Sequence, residues 1–434
     1  MSNPDMNAQM NSGLAESLLM VNKLDYKLPP QISIASKCTH VINYSQQASY
    51  TNGDTVIFDV QTGSQFVDPA SSYLRFVVTP NDGTHCFGSG SAKNLFSRIV
   101  VRTATGKELS RVEDANLLLK MEDVYNNSND WRTTLGKNQG YTEAPDTNVL
   151  ADAVPITGKV FAIPIQCLMP CMSPHGAKLV PPNIMSGLRI ELALASPNDA
   201  FSSVNQAALG ALASYTVSSC EMHFKVYELA DQFQRKIQEM SQGGLNYLYK
   251  EHFHTIVAPG ATSNINFDVK KAASKSLTAR ILARKTTDLS ATGKDRLASA
   301  VYNYSKIQAH IGSSYFPNQP LQINATPSAD NIAEAYHYAL YAQDKLEAWN
   351  PTGVTPAQYL GRVNTGTNDV YSSGIVAFNF NKSNVSDLAG YTTSNSRALL
   401  VDLTQDSAEN VRLDVYLTFL RLAKVYQSNC VVLD

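Results

Sequence analysis

The sequence predicts an all-β protein built from two tandem antiparallel sandwiches, with short helices in the loops. Three observations carry this prediction. From residue 41 onward, apolar and polar side chains alternate with a period of two over many short segments. Turn-forming groups such as Asn52-Gly53 and Asn81-Asp82-Gly83 separate these segments. The same order of elements occurs twice, in residues 41–229 and in residues 245–434, which are nearly equal in length.

Length and charge limit the classes of protein that fit. The 434 residues exceed the usual limit of a single core, roughly 250 to 300 residues, so we expect two domains. Charged residues are only 17% of the chain and hydrophobic residues 44%, which indicates a folded protein with a neutral polar surface. The net charge of −2 gives no whole-molecule attraction to nucleic acid or to an acidic membrane surface.

Cysteine usage and the first residues indicate the compartment. Six cysteines are too few for a disulfide scaffold in a chain of this length. The start of the chain lacks the basic residues and the apolar stretch of a secretory signal. No segment approaches the roughly 18 apolar residues that a membrane span requires. We expect a soluble protein with free thiols, made in a reducing compartment.

Residues 1–40 are predicted to form an N-terminal arm. Leu14, Leu18 and Val21 would form one apolar stripe on a short helix, and Pro29-Pro30 follows that helix. A helix of three turns is marginal alone, so we expect it to dock. It would pack either on its own domain or on a neighbouring subunit.

In residues 41–229, strands are followed by one helix and then by further strands. Five segments show the alternation of a β-strand: Val56–Val60, Leu74–Val78, Leu95–Arg102, Gly187–Ser196 and Tyr215–Leu229. The last strand would place four apolar side chains on one face: Cys220, Met222, Phe224 and Val226. A helix is predicted from Val112 to Tyr125, and Trp131 follows it.

A short polar helix, Asp231 to Met240, is predicted to end at Gly243-Gly244, so we assign residues 230–244 to a helical linker. Residues 245–434 then repeat the order of the first half. Five segments again predict strands: Ile265–Val269, Leu277–Arg284, Ile375–Phe380, Ala398–Leu403 and Val411–Phe419. A helix is predicted at Asn331–Leu346, and Trp349 follows it.

The two halves suggest a structural duplication, and two unrelated β-rich domains are the alternative because sequence identity between the halves is not evident. Many short strands joined by long loops favour antiparallel sandwiches over a parallel α/β sheet. Among sandwiches, the jelly roll best accommodates long loops and midway helices, because its two four-stranded sheets hold the core independently of the loops. We therefore expect two eight-stranded antiparallel jelly rolls, 41–229 and 245–434.

A search for catalytic and metal-binding motifs predicts no site. Gly106-Lys107 and Gly293-Lys294 lack the first glycine and the hydroxyl residue of a phosphate-binding loop, and neither GxSxG nor HExxH occurs. Cys167, Cys171 and His175 are spaced by four and would share one face of a helix. Neighbouring prolines argue against such a helix, so we expect buried or loop thiols. Catalytic, cofactor-binding and metal residues are therefore predicted to be absent.

Three weaker signals have ordinary explanations. His252 and His254 would share a strand face, and without a local acidic partner we expect plain strand surface. Residues 270–296 are locally basic, which predicts a solvated face, with a contact to nucleic acid or an acidic neighbour as the alternative. The chain is rich in Asn, Ser and Thr, so chance explains most of its Asn-x-Ser/Thr sequons. The sequons begin at Asn43, Asn126, Asn303, Asn324, Asn381 and Asn384.

Three segments of the chain resemble a known family. The segment Ser186–Leu192, the strand Tyr215–Leu229 running into a Gly-ended helix, and Gly312–Pro320 with its Tyr-Phe-Pro sequence are similar to double jelly-roll major capsid proteins. These proteins belong to polinton-like viruses, virophages, large algal DNA viruses and related tailless icosahedral viruses. The resemblance covers most of residues 41–434 and lies in the pattern and order of elements.

The resemblance implies a structural protein without catalysis, cofactor or small-molecule substrate. It implies homotrimers (capsomers) of pseudo-hexameric outline that tile an icosahedral shell and contact neighbouring capsomers, penton proteins and minor capsid proteins. The protein would be made inside the host cell and would reside in the virion. Its N-terminal arm would lie near the inner face of the shell, towards an internal membrane or the genome.

Two other functions stay open from the residues alone. A carbohydrate-binding or carbohydrate-active β-sandwich would show exposed aromatic side chains along one groove and, for an enzyme, two carboxyl groups roughly 5 to 9 Å apart. Another β-rich virion component, such as a spike or a single-jelly-roll penton protein, is less compatible with two equal halves.

Overall fold

The computed structural model of the protein describes residues 35–81, 85–87, 90–141, 158–173, 179–203, 212, 214–290, 296–324, 331–346, 352–360, 373–381, 390–394, 397–426 and 430–433. The helix predicted around Leu14, Leu18 and Val21 lies outside these residues, as do His175 and Trp349. Among the described residues, no helix is long and apolar enough to cross a membrane.

The first half contains two sheets that follow the jelly-roll order. Its strands are β1 (Ala35–Tyr44), β2 (Ser49–Thr51), β3 (Thr55–Asp59), β4 (Phe66–Pro80), β5 (His85–Phe87), β6 (Phe96–Arg102), β7 (Glu108–Glu113), β8 (Lys159–Pro164), β9 (Arg189–Leu194), β10 (Phe201–Ser203) and β11 (Tyr215–Leu229). One sheet has the order β1-β11-β4-β8, with β2 also paired to β11, and the other has the order β3-β9-β6-β7. Strands β5 and β10 form a separate two-stranded ribbon.

The second half repeats this arrangement. Its strands are β12 (Leu245–Ala261), β13 (Asn264–Val269), β14 (Ser276–Lys285), β15 (Tyr304–Ile311), β16 (Ser314–Ile323), β17 (Val376–Asn379), β18 (Leu399–Gln405), β19 (Asn410–Val425) and β20 (Cys430–Leu433). The sheets have the orders β12-β19-β14-β17, with β20 also paired to β19, and β13-β18-β15-β16.

The strand orders of the two halves are identical once the accessory strands β2, β5, β10 and β20 are set aside. Eight strands remain in each half, and counted along the chain they form sheets of order 1-8-3-6 and 2-7-4-5. All of these pairings are antiparallel. The prediction of two tandem eight-stranded jelly rolls is therefore confirmed.

The alternation of apolar side chains explains why each sheet buries one face. In β11 the four side chains predicted to share a face are buried: Cys220, Met222, Phe224 and Val226. Ser219 has φ 51, and the pairing of β11 with β4 shifts its register between Ser218 and Glu221. Tyr215 and Val217, which precede the bulge, are buried as well. The bulge therefore shifts the core-facing positions by one residue, from Tyr215 and Val217 before it to Cys220 and Met222 after it.

Short helices occupy the connections between strands. The α-helices are α1 (Ala115–Asn126), α2 (Asn129–Thr133), α3 (Leu135–Asn138), α4 (Ile165–Leu168), α5 (Pro182–Met185), α6 (Pro197–Ala200), α7 (Asp231–Gln242), α8 (Thr286–Ser290), α9 (Ala333–Ala342) and α10 (Pro356–Leu360). Two 3₁₀-helices lie at Ala92–Leu95 and Pro170–Met172.

Some predicted boundaries differ from the observed ones. The helix predicted from Val112 begins at Ala115, because Val112 pairs with Ile99 in the β6–β7 hairpin. Strand β1 begins at Ala35, before the predicted arm boundary at residue 40, because its residues pair with the end of β11. The remaining division into arm, jelly rolls and linker stays a prediction.

Candidate functional site

The candidate site is the interface between the two jelly rolls, where polar side chains are concentrated inside the molecule. Strand β19 carries an unbroken run of buried residues from Leu413 to Leu420, so both of its faces are covered. Its inner face packs in the core of the second roll, and its outer face meets the first roll. We call this region the inter-roll interface: α1 and β7 of the first roll against β12, β14 and β19 of the second.

One charged cluster joins the start of α1 to the second roll. The Arg412 guanidinium donates to Asp114 Oδ2 at 2.6 Å and to Asp414 Oδ1 at 2.8 Å. Arg284 donates to Asp414 Oδ2 through both Nε and Nη2, at 2.8 and 2.7 Å. Burial alone would raise the pKa of Asp414, but the hydrogen bond with His254 and the charges of Arg284 and Arg412 lower it to about 2. Asp414 is therefore ionised at neutral pH.

Asp114, the member of this cluster that belongs to the first roll, has an unusual backbone conformation. It precedes α1 with φ 43 and ψ 45, a left-handed geometry that Asp tolerates better than most residues. Its side chain makes no capping hydrogen bond to the helix and reaches Arg412 instead. Its carbonyl oxygen accepts a hydrogen bond from the Tyr416 hydroxyl at 2.8 Å. The start of α1 is thus tied to strand β19 through both the backbone and the side chain.

The cluster contains side chains of the types that bind metal ions, but the charge around them is not that of a metal site. Asp114, His254 and Asp414 bring one potential ligand atom each within 4.8 Å of one another. Two guanidinium groups, Arg284 and Arg412, already neutralise the two carboxylates. A cation placed there would meet both positive charges at close range. The geometry fits an ion-pair network better than a metal centre.

The structure corrects the interpretation of His252 and His254 as plain strand surface. His254 pairs across the sheet with Tyr416, stacks on its ring at 4.6 Å, and lies 3.1 Å from Asp414 Oδ1. His252 pairs with Thr418, and its Nδ1 lies 3.0 Å from Oγ1 of that residue. Burial, and secondly the charge of Arg280, lower the pKa of His252 to about 3, so its imidazole is neutral. The acidic neighbours are distant along the chain: Glu122 on α1, whose Oε1 lies 3.6 Å from His252 Nε2, and Asp414 on β19 beside His254.

Part of the locally basic segment, residues 270–296, is buried, which corrects the expectation of a solvated face. Arg280 and Arg284 are each 8% exposed and face Glu122 and Asp414. Arg296 lies 3.3 Å from Asp199 in α6 of the first roll. These arginines therefore serve contacts within the chain. No sequence signal identified them, because each carboxylate partner is distant along the chain.

A buried carboxyl group marks the β7 side of the inter-roll interface. Glu251 on β12 is 3% exposed and accepts a hydrogen bond from Ser110 Oγ at 3.0 Å. Arg421 Nη1 lies 4.0 Å from its second oxygen and donates to the Leu109 carbonyl at 2.7 Å. Burial raises the pKa of Glu251 to about 8, against the opposing effects of Arg421 and the hydrogen bonds.

Other residues considered from the sequence do not assemble into a site. Cys167 lies in α4 and is exposed, whereas Cys171, in the following 3₁₀-helix, is buried, and burial raises the pKa of the Cys171 thiol. A protonated thiol is a poor zinc ligand. Asn43 is 8% exposed, and its Oδ1 accepts a hydrogen bond from the backbone N–H of Gln61 at 2.9 Å, so this sequon is not presented on the surface.

An aromatic groove does occur in the second roll, as the carbohydrate alternative requires. It has a volume of about 540 Å³ and lies where the start of β16 meets α9 and the end of β17. Its aromatic lining is Tyr315, Phe316, Tyr338, Tyr341, Phe378 and Tyr391. None of its described lining residues carries a carboxyl group. The groove therefore lacks the pair of acids that glycoside hydrolysis uses.

Comparisons with known proteins identify the fold. No protein-family model matches the sequence, and no curated protein matches it. The structure is similar to a PBCV-1 virus capsid model, with a TM-score of 0.62 and 12% identity over 94% of this chain and 99% of that one. It is also similar to the Faustovirus major capsid protein, with a TM-score of 0.60 and 7% identity over 97% and 98% of the two chains.

A third match is a chain from the structure of the virophage Sputnik, with a TM-score of 0.55 and 10% identity over 95% of this chain and 91% of that one. In all three comparisons the similarity extends over both halves of the chain. It is therefore a match to the tandem arrangement and not to one sandwich alone. The chain has the double jelly-roll fold of viral major capsid proteins.

Proposed function

We propose that this chain is a viral major capsid protein, a structural protein without catalytic activity that resides in the virion. The observation that carries the proposal is the repeated strand order, 1-8-3-6 and 2-7-4-5 in both halves, together with matches spanning nearly the whole length of capsid proteins. Two similar rolls in one chain give six similar units when three chains surround an axis. The fold is thus suited to homotrimers of pseudo-hexameric outline that tile an icosahedral shell.

The surface supports contacts between copies at the sheet edges. Eight large hydrophobic side chains are exposed among the described residues, and five of them lie on edge strands: Ile42 and Tyr44 on β1, Val160 on β8, Ile256 on β12 and Tyr315 on β16. An edge strand presents unpaired backbone groups as well as its side chains. Burying such edges against another copy would satisfy both, which favours self-association.

Further partners follow from the same role. Neighbouring capsomers would contact the outer faces of the trimer, and penton and minor capsid proteins would complete the shell. The N-terminal arm would meet the inner face of the shell, towards an internal membrane or the genome. The carbohydrate alternative is not favoured, because the matches that span the whole chain are capsid structures.

The test is the mass and shape of the purified protein by light scattering and negative-stain electron microscopy. We expect a stable trimer of pseudo-hexagonal outline. Tyr44→Asp and Val160→Asp should weaken trimers or larger assemblies without lowering the melting temperature of the subunit. Leu135→Asp is the matched control, since Leu135 is 60% exposed but lies in helix α3. A monomer that never assembles and binds glycans would overturn the proposal.

A further inference from the structure

A cavity of about 330 Å³ lies at the inter-roll interface. Its walls come from both rolls: α1 and α4 of the first, β12, β14 and the end of α9 of the second. Its polar lining includes Glu122, Lys250, His252, Arg280, Gln343 and Lys345. A smaller adjoining cavity of about 120 Å³ shares Lys250, Arg280 and Gln343 with it. At about 30 Å³ per water molecule, the larger cavity has room for a small polar molecule.

Two nearly buried side chains in this cavity have unused hydrogen-bonding groups. Arg280 is 8% exposed, and its Nε and Nη1 have no hydrogen-bond acceptor among the described residues. Its ion pair with Glu122 has an Nη1–Oε1 distance of 3.5 Å, too long for a good hydrogen bond. Gln343 is 6% exposed, and neither its amide nitrogen nor its amide oxygen has a partner there. Buried polar groups in folded proteins are nearly always paired, so these atoms indicate a missing partner.

The chemistry of the unused groups indicates what that partner is. Nε and Nη1 of Arg280 and the amide nitrogen of Gln343 are donors, and the amide oxygen of Gln343 is an acceptor, so the partner must offer mainly acceptors. Lys250, Arg280 and Lys345 bring three positive charges to the lining, against the two carboxyl groups of Glu122 and Asp344. A metal cation would be repelled by Arg280 and would leave the donors unpaired.

We propose that this cavity binds a small oxyanion, a phosphate or a carboxylate, which Arg280 and Gln343 hold between the two jelly rolls. A planar guanidinium suits the oxygens of either group. The ligand would accept hydrogen bonds from a strand of the second roll and from the end of α9, opposite α1 of the first. Both donors belong to the second roll, and a ligand that binds only the folded chain would stabilise the subunit. This proposal does not depend on the capsid role.

Two further ionisable side chains line this cavity, His252 and Glu122. Burial is the largest influence on both groups, and it raises the pKa of Glu122 against the charges of Arg280 and Lys93.

The test is titration of the full-length protein with sodium phosphate and, separately, sodium succinate, against sodium chloride at matched ionic strength. Isothermal calorimetry and the melting temperature are the two readouts. We expect saturable heat and a saturable rise in melting temperature with at least one oxyanion, and the responding salt identifies phosphate or carboxylate as the ligand. Equal responses to all three salts would overturn the proposal.

Two variants and one control localise the effect. Gln343→Leu keeps the Arg280–Glu122 ion pair and should lower the apparent affinity at least tenfold. Because the Gln343 amide has no hydrogen-bond partner in the described part of the chain, this variant should be at least as stable as wild type without ligand. Arg280→Met should abolish binding. Lys306→Met removes an exposed ion pair with Asp402 elsewhere and should bind normally. Wild-type affinity in Gln343→Leu would place the ligand elsewhere and refute the site.

Discussion

Glu251 offers a test of how a buried carboxyl group at the inter-roll interface affects the stability of the whole chain. Its carboxyl group is almost completely buried between β12 and β7, and burial raises its pKa to about 8 from an ordinary value of 4.5. The folded protein therefore keeps this proton up to about pH 8, whereas the unfolded chain loses it near pH 4.5. Between these values the folded state binds more protons, so stability falls as pH rises.

The magnitude follows from the two pKa values. Each pH unit between them corresponds to about 1.4 kcal/mol, so the full interval amounts to about 5 kcal/mol. Glu251→Gln keeps the shape of the side chain and an oxygen that can accept from Ser110, but it does not titrate. We expect the variant to lie within about 1 kcal/mol of wild type at pH 5 and to exceed its stability by about 4 kcal/mol at pH 8.

The assay is the melting temperature of both proteins at a fixed scan rate from pH 5 to pH 9. At roughly 2 to 4 °C per kcal/mol for units of about 200 residues, the difference should grow to the order of 10 °C. Glu113→Gln, an exposed carboxyl of strand β7 paired with Arg111, is the matched control and should show a flat difference. A difference between Glu251→Gln and wild type that does not change with pH would refute the reasoning.

Three further predictions test other parts of the structure. Asp414→Asn leaves Arg284 and Arg412 without their buried counter-charge and should lower the free energy of unfolding by about 3 to 5 kcal/mol in denaturation experiments. Because the pKa of Asp414 is lowered to about 2, its contribution to the stability of wild type should be lost as pH falls from 3.8 through 2. An unchanged stability of the variant would contradict the ion-pair network. Gly374→Ala places a Cβ 2.6 Å from the Tyr359 carbonyl oxygen and 2.7 Å from the Val301 amide nitrogen, so it should destabilise the chain by about 1 to 3 kcal/mol in the same assay. Deleting residues 1–30 spares strand β1 and should leave the melting temperature unchanged while weakening shell assembly seen by electron microscopy; a large drop in melting temperature would show instead that the arm is part of the core.

The strands that the sequence predicted share a physical cause. Side chains such as those of Cys220 to Val226 alternate because one face of β11 is buried, and this pattern is local. Strand β16 was missed because most of its residues are at least partly exposed, so no apolar alternation marks it. The order 1-8-3-6 could not be deduced from periodicity, since β1 pairs with the last strand of its roll.

The inter-roll interface was not predictable for a related reason. His254 and Asp414 are separated by 160 positions, and Arg412 and Asp114 by 298. A single charged residue on a strand is equally compatible with solvent and with a buried partner. Counting charges along a window therefore assigned residues 270–296 to a solvated face, although Arg280 and Arg284 are buried. The partner, and not the local pattern, decides burial for such side chains.

The position of the charges bears on how the subunit could serve as a building block. Charged residues are scarce in the chain, yet ion pairs join the two rolls at separate points: Asp114–Arg412, Glu122–Arg280 and Asp199–Arg296. Burying charges costs solvation, so such pairs contribute less to stability than apolar packing of equal area would. Their geometry is directional, however, and three separated pairs are satisfied together in one relative orientation of the rolls. A shell of identical subunits requires that single orientation in every copy, which a purely apolar contact would enforce less strictly.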